Sequence, residues 1–555
     1  MAKKQSGGNV DENRIMQERR RKVEDLRQAG HHPYANDFEM CHEDVARALE
    51  VPVEDLPHED GVSEDQPFYK VAGRLVAAAK FGKAAFLKIR YAGKELQIYI
   101  RKDILTESEF LAFKKCEVGD HVGAWGRLFQ TRQGKPALRA ERFAMITKAV
   151  RSLPEKFHGL KDPELRSRMR YVDLVANPEV ADVFRKRAKL VSYLRRFMDD
   201  RAFVEVETPM MHPLIGGAAA KPFKTRHNAL NLDLFLRIAP ELYLKRLLVG
   251  GLERVYELGR CFRNEGLSRR HNPEFTMLEF YMAYATYQDL MSLTEELVAG
   301  AAQVVAGGLK LTVPNVEGEM VEVDFTPPWP KVSVLEATAA GLKKIDDQAP
   351  DAQALRDDAI VTAWIDDHDV AAQDDALATA LSHAETWGDR IGALFDWFGE
   401  PALPVDRPVF VKDYPLAISP LSRKKDDDPV LVDRFELFVA GQELGNAFSE
   451  LNDPADQRER FQRQVEKKSR GSDETMDYDE DYCRALEYGM PPAAGEGIGI
   501  DRLAMLLCGQ RSIRDVILFP LLRPESGRTE KKATSKNDEQ PTIKAKPPIR
   551  GTETP

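Results

Sequence analysis

Arginine, carboxylate and aromatic side chains alternate with apolar residues along residues 253–282, in two strand-like segments on either side of an arginine-rich loop. Successive side chains of a strand point to opposite faces. The apolar face then consists of Tyr256, Leu258, Phe262, Thr276, Leu278, Phe280 and Met282. The other face carries Arg263, Glu265, Phe275, Glu279 and Tyr281. A guanidinium, carboxylates and aromatic rings on one rigid surface suit a flat base, a phosphate and a cation, as in ATP with a basic amino acid.

This hairpin also has a simpler interpretation, because an antiparallel hairpin with one solvated face alternates charged and apolar residues in the same way. Phe275 and Tyr281 interrupt the charged face, and exposed aromatic rings there favour a binding surface. A second stretch of interest, residues 495–507, is a glycine-rich strand that runs into an apolar helix. Its third glycine, Gly499, comes one position too early for a dinucleotide-binding loop, which excludes that class of site.

Residues 68–150 contain five candidate strands in a short span, which predicts a small β-barrel. Its first three strands keep apolar residues for the core and send Phe86, Tyr99 and several Arg and Lys side chains outward. Aromatic rings mixed with cations are typical of a surface that binds single-stranded nucleic acid. Exposed aromatic residues can instead mark a protein interface, and the sequence leaves that alternative open.

The length, composition and net charge of the chain limit the classes of protein to which it can belong. The chain has 555 residues, so we expect at least two domains, since single cores rarely exceed about 250 to 300 residues. No apolar run approaches the roughly 20 residues that a membrane helix needs, and the first residues do not resemble a signal peptide. Five cysteines without a CxxC pair point to a reducing cytoplasm. A net charge of -10 argues against a protein that coats nucleic acid, although the basic helix at 19–28 could touch a phosphate backbone or be solvated.

The order of these elements predicts an α+β protein in five parts. They are a helical extension at 1–65, the barrel at 66–150, a linker at 151–175, a larger domain at 176–524 with a helical insertion at about 288–406, and a disordered tail at 525–555.

The strings FRNEG and RHNPEFTMLEFY within the hairpin are similar to motif 2 of the class II aminoacyl-tRNA synthetases, and to the lysyl family among them. Residues 178–209 resemble motif 1, which implies a homodimer, and GEGIGIDRLAMLL resembles motif 3. The barrel is similar to the OB-fold anticodon-binding domain of these enzymes. The resemblance therefore implies an OB-fold barrel followed by a catalytic antiparallel sheet flanked by helices.

The resemblance also implies a role for individual residues. Arg263 and Arg502 would be catalytic, and ATP would be bound by these two arginines with Glu265, His271, Asn272 and Phe275. L-Lysine would be bound by Glu241, Glu279, Tyr281, Asn446 and Asn452. Mg²⁺ would be bound by Glu443 and Glu450. The anticodon of tRNA(Lys) would be read by Arg74, Phe86 and Gln97.

Glu443 and Glu450 raise a geometric difficulty, because seven residues is an odd separation and a regular strand would direct the two carboxylates to opposite faces. We therefore expect a bulge between them, at Gly445.

Three other functions fit parts of the sequence. A synthetase paralogue that attaches lysine to elongation factor P would lack the anticodon domain. A non-catalytic RNA-binding protein on this scaffold would lose the motif arginines, yet Arg263 and Arg502 are present. An aspartyl or asparaginyl enzyme needs a cation in the amino acid pocket, where this chain offers Glu279. The sequence thus favours a cytoplasmic, homodimeric enzyme that joins lysine to tRNA.

Overall fold

The computed structural model describes residues 5–39, 42–154, 160–218, 220–370, 374–469 and 476–524. The chain divides into two compact units, Met1–Pro520 and Leu521–Pro555. Of the second unit only residues 521–524 are described, and these four contain no helix or strand. The tail predicted to be disordered, 525–555, lies outside the described residues. No helix in the described part of the chain is long and apolar enough to cross a membrane.

A closed five-stranded barrel follows two helices at the start of the chain. The helices and strands of this part are α1 (Gln5–Gln28), α2 (His42–Glu50), β1 (Phe68–Phe81), β2 (Ala84–Tyr91), β3 (Lys94–Arg101), α3 (Glu107–Lys115), β4 (His121–Gln130) and β5 (Pro136–Thr147). The strand order is β1-β2-β3-β5-β4, with β3 and β5 parallel. Alternate residues such as Leu87, Ile89 and Ile98 form the barrel core, as the period-two pattern predicts. The barrel predicted from the sequence is confirmed.

Helix α1 is tied to the barrel by Arg19, whose side chain is buried. Its Nη1 atom donates to the carbonyls of Ala149 at 3.1 Å and Arg151 at 3.2 Å. Lys22, on the next turn of α1, pairs with Glu117 at 2.8 Å. These two cations of the predicted basic helix face therefore bind the protein itself, so they are not available to a phosphate backbone.

The larger part of the chain is built on an eight-stranded sheet of order β14-β15-β16-β17-β18-β11-β10-β6. Its helices are α4 (Pro163–Arg168), α5 (Arg170–Ala176), α6 (Pro178–Asp199), α7 (Glu241–Val249), α8 (Tyr287–Ala306), α9 (Val334–Leu342), α10 (Asp358–Asp367), α11 (Asp375–Ser382), α12 (Trp387–Leu394), α13 (Pro454–Ser469), α14 (Glu480–Glu487), α15 (Ile500–Cys508) and α16 (Ile513–Val516). The strands of this part of the chain are β6 (Val204–Glu205), β7 (Met211–His212), β8 (Lys224–His227), β9 (Leu232–Leu236), β10 (Arg254–Phe262), β11 (Glu274–Ala283), β12 (Lys310–Pro314), β13 (Met320–Asp324), β14 (Lys331–Ser333), β15 (Val409–Lys412), β16 (Arg434–Val439), β17 (Gln442–Ser449) and β18 (Ala493–Gly499). Strands β7, β8 and β9 form a separate three-stranded sheet, and β12 and β13 a two-stranded one.

The predicted α+β class is confirmed, with one correction to the sheet. The six strands from β15 to β10 are antiparallel to their neighbours, but the two edge strands, β14 and β6, pair in parallel. The sheet is therefore mixed. Both edge strands are only two or three residues long, and such short segments carry no periodic signal in the sequence.

One face of the sheet is covered by α6, α8 and α15, which pack on Tyr256, Leu278 and Phe280. The opposite face carries the charged residues; α7 covers part of it at Val255 and Tyr281, and the rest faces a cavity. Helix α8 belongs to this central core, and β14 extends the same sheet. The residues predicted as a helical insertion at about 288–406 therefore do not form one helical body; a second apolar cluster begins only at Val334.

Strand β17 contains the irregularity that the spacing of Glu443 and Glu450 predicts. Leu437 pairs with Gly445 and the next residue, Phe438, pairs with Glu443. Leu444 is therefore the extra residue of a bulge, one position before the predicted Gly445. As a result, Glu443, Asn446 and Phe448 are partly exposed, while Leu444 and Ala447 are buried on the core side.

Glu496 is a buried carboxyl group on the core side of β18, with 1% of its surface exposed. The hydroxyl oxygen of Thr294 lies 2.6 Å from Glu496 Oε2 and 2.6 Å from the carbonyl oxygen of Leu290. A hydroxyl group has one proton, and a carbonyl can only accept. When Thr294 donates to Leu290, the second short contact requires a proton on Glu496. Burial raises the pKa of Glu496 to about 8, which agrees with a neutral carboxylic acid.

We predict that Glu496 makes the protein less stable in alkali. Its pKa is higher in the folded than in the unfolded chain, so its contribution is complete below about pH 4.5 and is lost as the pH rises to about 8. Glu496→Gln cannot ionise, so the loss of thermal stability between pH 6 and pH 9 should be smaller than in the parent. Thermal unfolding at both pH values measures this, with Glu322→Gln on the exposed side of β13 as the control. An equal loss in Glu496→Gln and parent would contradict the protonated state.

Candidate active site

A cavity of about 180 Å³ lies over the open face of β11, β17 and β18, beside the loop between β10 and β11. One end, called here the arginine end, is lined by Arg263, Glu265, His271, Phe275 and Arg502. The other, called the carboxylate end, is lined by Glu241, Glu279, Tyr281, Asn446 and Phe448. Asn272 and Glu443 also line the cavity. The structure thus brings together most of the residues selected from the sequence, including the whole charged face of the hairpin.

Arg263 follows the end of β10 and is held over the cavity by its backbone, which donates to Pro273 at 2.9 Å. Its guanidinium carbon lies 5.2 Å from the centre of the Phe275 ring. Its Nε atom is buried and has no hydrogen-bond partner among the described residues. Because an unpaired buried donor is costly, this atom is positioned for an anionic ligand.

Arg502 lies across the cavity, on the first turn of α15. Its Nη1 atom donates to the backbone carbonyl of Glu443 at 2.7 Å and to the Glu443 carboxylate at 3.1 Å, and Nη2 lies 3.3 Å from Nε2 of His271. Burial and the charge of Arg502 lower the pKa of His271, so a neutral ring accepts this hydrogen bond. Burial opposes ionisation of Glu443, but the positive charges of Arg502, Arg263 and Arg434 together outweigh burial and lower the pKa of Glu443. The planar guanidinium is therefore fixed in place, with its flat face available for stacking.

Glu279 is the central residue of the carboxylate end. Tyr281 donates its hydroxyl proton to Glu279 Oε1 at 2.7 Å, while Oε2 is buried and has no hydrogen-bond partner within the described part of the chain. Burial, and then the negative charge of Glu241, raise the pKa of Glu279 to about 8. A buried carboxylate with a free oxygen is a site for a cation, since a positive ligand would favour its ionised form.

Glu241 is the first residue of α7 and faces the cavity, and its partner is a residue that the sequence analysis missed. Lys245, one turn later, is completely buried and donates to Glu241 Oε1 at 2.5 Å. It also forms an ion pair with Glu450. The sequence contained a signal for this contact, since glutamate and lysine four residues apart on a helix are neighbours. The apolar residues around Lys245 could have shown that the pair is buried.

Glu443 and Glu450, predicted as a pair of metal ligands, are not brought together. Glu443 lies at the arginine end with Arg502, whereas Glu450 pairs with Lys245 beyond the carboxylate end. Seven residues of a strand span roughly 20 Å, far more than one small ion can bridge. The bulge corrects which way the two side chains point, but not the distance between them.

A second carboxylate near Glu443 is Glu436 of the adjacent strand β16, whose backbone pairs with Asn446 and whose charge interacts with that of Glu443. Glu436 and Glu443 both line a second cavity beside the arginine end. Burial raises the pKa of Glu436 to about 7, an effect that Arg434 opposes and the charge of Glu443 strengthens. No group of three or more Asp, Glu, His or Cys residues in the described ranges is arranged to hold a metal ion by itself. Mg²⁺ commonly uses only one or two carboxylates together with substrate phosphates, and Glu443 with Glu436 fits that smaller requirement.

The two predicted asparagines differ in position. Asn446 lines the cavity and accepts a hydrogen bond from Arg434 at 3.1 Å. Asn452 instead donates to the carbonyl of Met490 at 3.3 Å and is not among the residues that line the cavity.

Gly495 in β18 is required by the packing of the carboxylate end. A Cβ atom at this position would lie 2.3 Å from the Tyr281 ring and 2.5 Å from Glu450 Oε1. Tyr281 and Glu450 therefore occupy the space that a side chain at position 495 would need.

A second candidate surface lies on the barrel, where Phe86 stacks on Tyr99 with ring centres 4.6 Å apart. Gln97 points to the same face, because it pairs with Lys88 two residues from Phe86. Arg74 is separated from both. It pairs with Arg90, while Phe86 pairs with Ala79, and its guanidinium donates to the carbonyl of Gly119 at 2.8 Å. Phe86 and Gln97 therefore lie close together, whereas Arg74 lies farther along the same outward face and its guanidinium is held by Gly119.

Comparison with known proteins gives one consistent result. Residues 162–523 match the family described as tRNA synthetases class II (D, K and N). The chain is 52% identical over 514 residues to a lysine–tRNA ligase of Anaeromyxobacter sp. (strain K), which covers 92% of this chain and 98% of the relative. It is 47% identical over 521 residues to a lysine–tRNA ligase of Pelotomaculum thermopropionicum, covering 94% and 97%. A lysine–tRNA ligase of Idiomarina loihiensis is 46% identical over 531 residues, covering 95% and 100%.

Proposed function

The chain belongs to the class II tRNA synthetases of the D, K and N family, and we propose that it is a lysine–tRNA ligase that activates L-lysine with ATP and transfers it to tRNA(Lys). The observation that carries this specificity is Glu279, a buried carboxyl group with one free oxygen at the end of the cavity opposite the arginines. An aspartate or asparagine side chain would offer this oxygen no positive charge. A lysine ε-ammonium group would.

The charged residues that line the cavity determine where each part of the substrates would bind. The adenine base stacks between Phe275 and the guanidinium of Arg502, an interaction of about 1 to 2 kcal/mol when partly desolvated. His271, Asn272 and Glu265 line the same end. At the other end, Glu241 binds the α-ammonium group of lysine, and Glu279 with Tyr281 binds the ε-ammonium group. Arg263, which lies over Phe275 at the arginine end, would contact both the lysine carboxylate and the α-phosphate.

The reaction proceeds in two steps. A carboxylate oxygen of lysine forms a bond to the α-phosphorus, and the bond from that phosphorus to the bridging oxygen breaks, which releases pyrophosphate. The 3′-terminal hydroxyl of the tRNA then forms an ester with the lysyl carbonyl carbon, and AMP leaves. Positioning and charge stabilisation supply the catalysis, so no side chain needs to become covalently attached.

Mg²⁺ would be held by Glu443, with Glu436 rather than Glu450 as its neighbour. When bound with ATP it supplies positive charge to the phosphate oxygens. Glu450 then belongs with the amino acid pocket. Asn446 borders the same pocket, and Asn452 has an indirect role at most, through Met490.

We further propose a homodimer in the cytoplasm, with an anticodon-binding barrel at 66–150 and a catalytic domain at 176–524. The dimer is supported by apolar side chains exposed around the short strands β6 and β7, at Val204, Met210, Met211 and Leu214. Exposed apolar groups concentrated in one region are typical of an interface.

The anticodon surface gives a prediction that separates the two domains. Phe86→Ala should lower kcat/KM for tRNA by about 5- to 150-fold, because base stacking on an aromatic ring contributes about 1 to 3 kcal/mol. Lysine-dependent pyrophosphate exchange, which needs no tRNA, should stay unchanged and serves as the internal control. If both activities fell equally, the Phe86–Tyr99 stack would be structural.

Charging of tRNA(Lys) tests the complete function. The purified protein with ATP, Mg²⁺ and labelled lysine should transfer the label to the 3′ end of tRNA(Lys). Transfer to elongation factor P with none to tRNA would favour the paralogue. The intact barrel argues against that alternative. Transfer of aspartate or asparagine would contradict the lysine pocket.

A further inference from the structure

Lys245 occupies the centre of the buried charges behind the cavity. Its ammonium group is fully buried and lies between the carboxylates of Glu241 and Glu450. Glu279 and Tyr281 face it from β11, with the Tyr281 ring centre 6.0 Å away, and the Phe448 ring centre lies at 5.2 Å. Tyr482 of α14 also faces it. Burial disfavours a charge on Lys245, but Glu241 and Glu450 more than offset this and raise its pKa, so it remains cationic.

The two glutamates that Lys245 holds also face the amino acid pocket. Glu241 lines the cavity, and Oε1 of Glu450 lies beside the position of Gly495, which lines it as well. Lys245 contacts Oε1 of Glu241 and Oε2 of Glu450. Glu450 Oε1 and Glu279 Oε2 have no hydrogen-bond partner among the residues described. Lys245 thus contacts one oxygen of each glutamate. Glu450 Oε1 and Glu279 Oε2 remain as acceptors for a second cation.

The formal charges of the pocket lead to the same conclusion. Glu241, Glu279 and Glu450 would carry three negative charges when ionised, and Lys245 reduces the sum to minus two. L-Lysine brings two ammonium groups, and Arg263 remains for its carboxylate. Unpaired charges are costly in a buried site, so two negative charges in the ionised pocket match the two ammonium groups of a bound lysine.

We propose that Lys245 is a positioning residue of the amino acid pocket: its ammonium group fixes the carboxylates of Glu241 and Glu450 and sets the charge that selects a doubly cationic amino acid. This inference rests on the proposed lysine specificity. A merely structural ion pair would stabilise the fold without affecting how lysine is bound. The two roles therefore predict different kinetics.

Lys245→Met retains the length of the side chain and removes its charge. We expect kcat/KM for lysine in pyrophosphate exchange to fall by about 10- to 100-fold, because small displacements of substrate-positioning groups have effects of this size. The KM for ATP should stay unchanged. The lysine KM should also rise more steeply as the pH falls, because carboxylates without their cation hold protons that lysine must displace. A folded variant with the parental lysine KM and pH profile would overturn the proposal.

Chemical rescue distinguishes the effect of the Lys245 charge from the effect of its side-chain volume. In Lys245→Ala, propylammonium should restore lysine-dependent exchange by at least about tenfold, while 1-propanol, similar in size but uncharged, should not. Equal rescue by both compounds, or none, would contradict a role for the charge. If the single variants fail to fold, Lys245→Met with Glu450→Gln removes both buried charges together, which is far less destabilising. That double variant keeps the formal charge of the pocket but leaves Glu241 without the cation that positions it, so the lysine KM should stay raised, and a parental KM would overturn the positioning role of Lys245.

Lysine-dependent exchange by the parent protein separates a failure of the proposed function from a failure of the role proposed for Lys245. If the parent shows no lysine-dependent exchange, the proposed function fails. If the parent is active and the Lys245 variants bind lysine normally, only the role of Lys245 fails.

Discussion

Arg263→Ala should lower lysine-dependent pyrophosphate exchange by about 100- to 1,000-fold, the usual effect of removing one preorganised donor to a developing charge. The reason is the position of its guanidinium, which lies over Phe275 with a buried Nε that has no partner among the described residues. We expect this loss in kcat as well as in kcat/KM, because the contact with the α-phosphate strengthens as the adenylate forms.

Two further variants control this experiment. Arg269→Ala removes an arginine of the same loop that contacts the backbone of Glu317 instead of lining the cavity, so exchange should remain near the parental rate. Arg263→Lys keeps the charge without the planar fork and should recover only part of the activity. Near-normal exchange in a folded Arg263→Ala variant would remove this residue from the reaction.

Glu279→Gln should raise the KM for lysine by about 30-fold or more, since truncating one partner of a buried charge pair costs about 2 to 5 kcal/mol. The variant keeps the shape of the side chain and its contact with Tyr281, so the KM for ATP should change little. Arginine should remain a poor substrate for the parent, because its planar fork differs in geometry from an ammonium group.

The pH dependence adds an independent measurement of the same residue. The pKa of Glu279 is raised to about 8, so below that pH the carboxyl group is largely neutral and binding a cation requires release of its proton. The lysine KM of the parent should therefore rise as the pH falls below about 8, and Glu279→Gln should lose the part of this dependence that Glu279 contributes, with Glu241 and Glu450 remaining. An unchanged lysine KM in the variant would make Glu279 a structural residue.

The sequence predicts the geometry of this site where regular strands determine it. Alternation along β10 and β11 places Tyr256 and Phe280 in the core and Glu279 and Tyr281 in the cavity, as the structure has them. Such alternation follows from the backbone alone. The bulge in β17 was predictable for the same reason, because an odd spacing of two charged residues requires an irregularity.

Distances between elements could not be predicted in this way. The family resemblance implies a common Mg²⁺ site for Glu443 and Glu450, whereas Glu443 pairs with Arg502 at the arginine end and Glu450 pairs with Lys245 beyond the carboxylate end. Arg74 is on a barrel strand beside the aromatic face, but its side chain binds the carbonyl of Gly119. The i,i+4 spacing records the contact of Lys245 with Glu241, but not its contact with Glu450, which follows β17. The contacts of Arg74 with Gly119 and of Lys245 with Glu450 are tertiary contacts that no local pattern records.

Pyrophosphate exchange by the parent protein with each of the twenty amino acids in turn, with ATP and Mg²⁺ and without tRNA, tests the lysine specificity directly. We predict rapid exchange with L-lysine and exchange near background with the other nineteen, including arginine, aspartate and asparagine. Comparable exchange with any of these three, or none with lysine, would contradict the assignment of the carboxylate end as a lysine pocket.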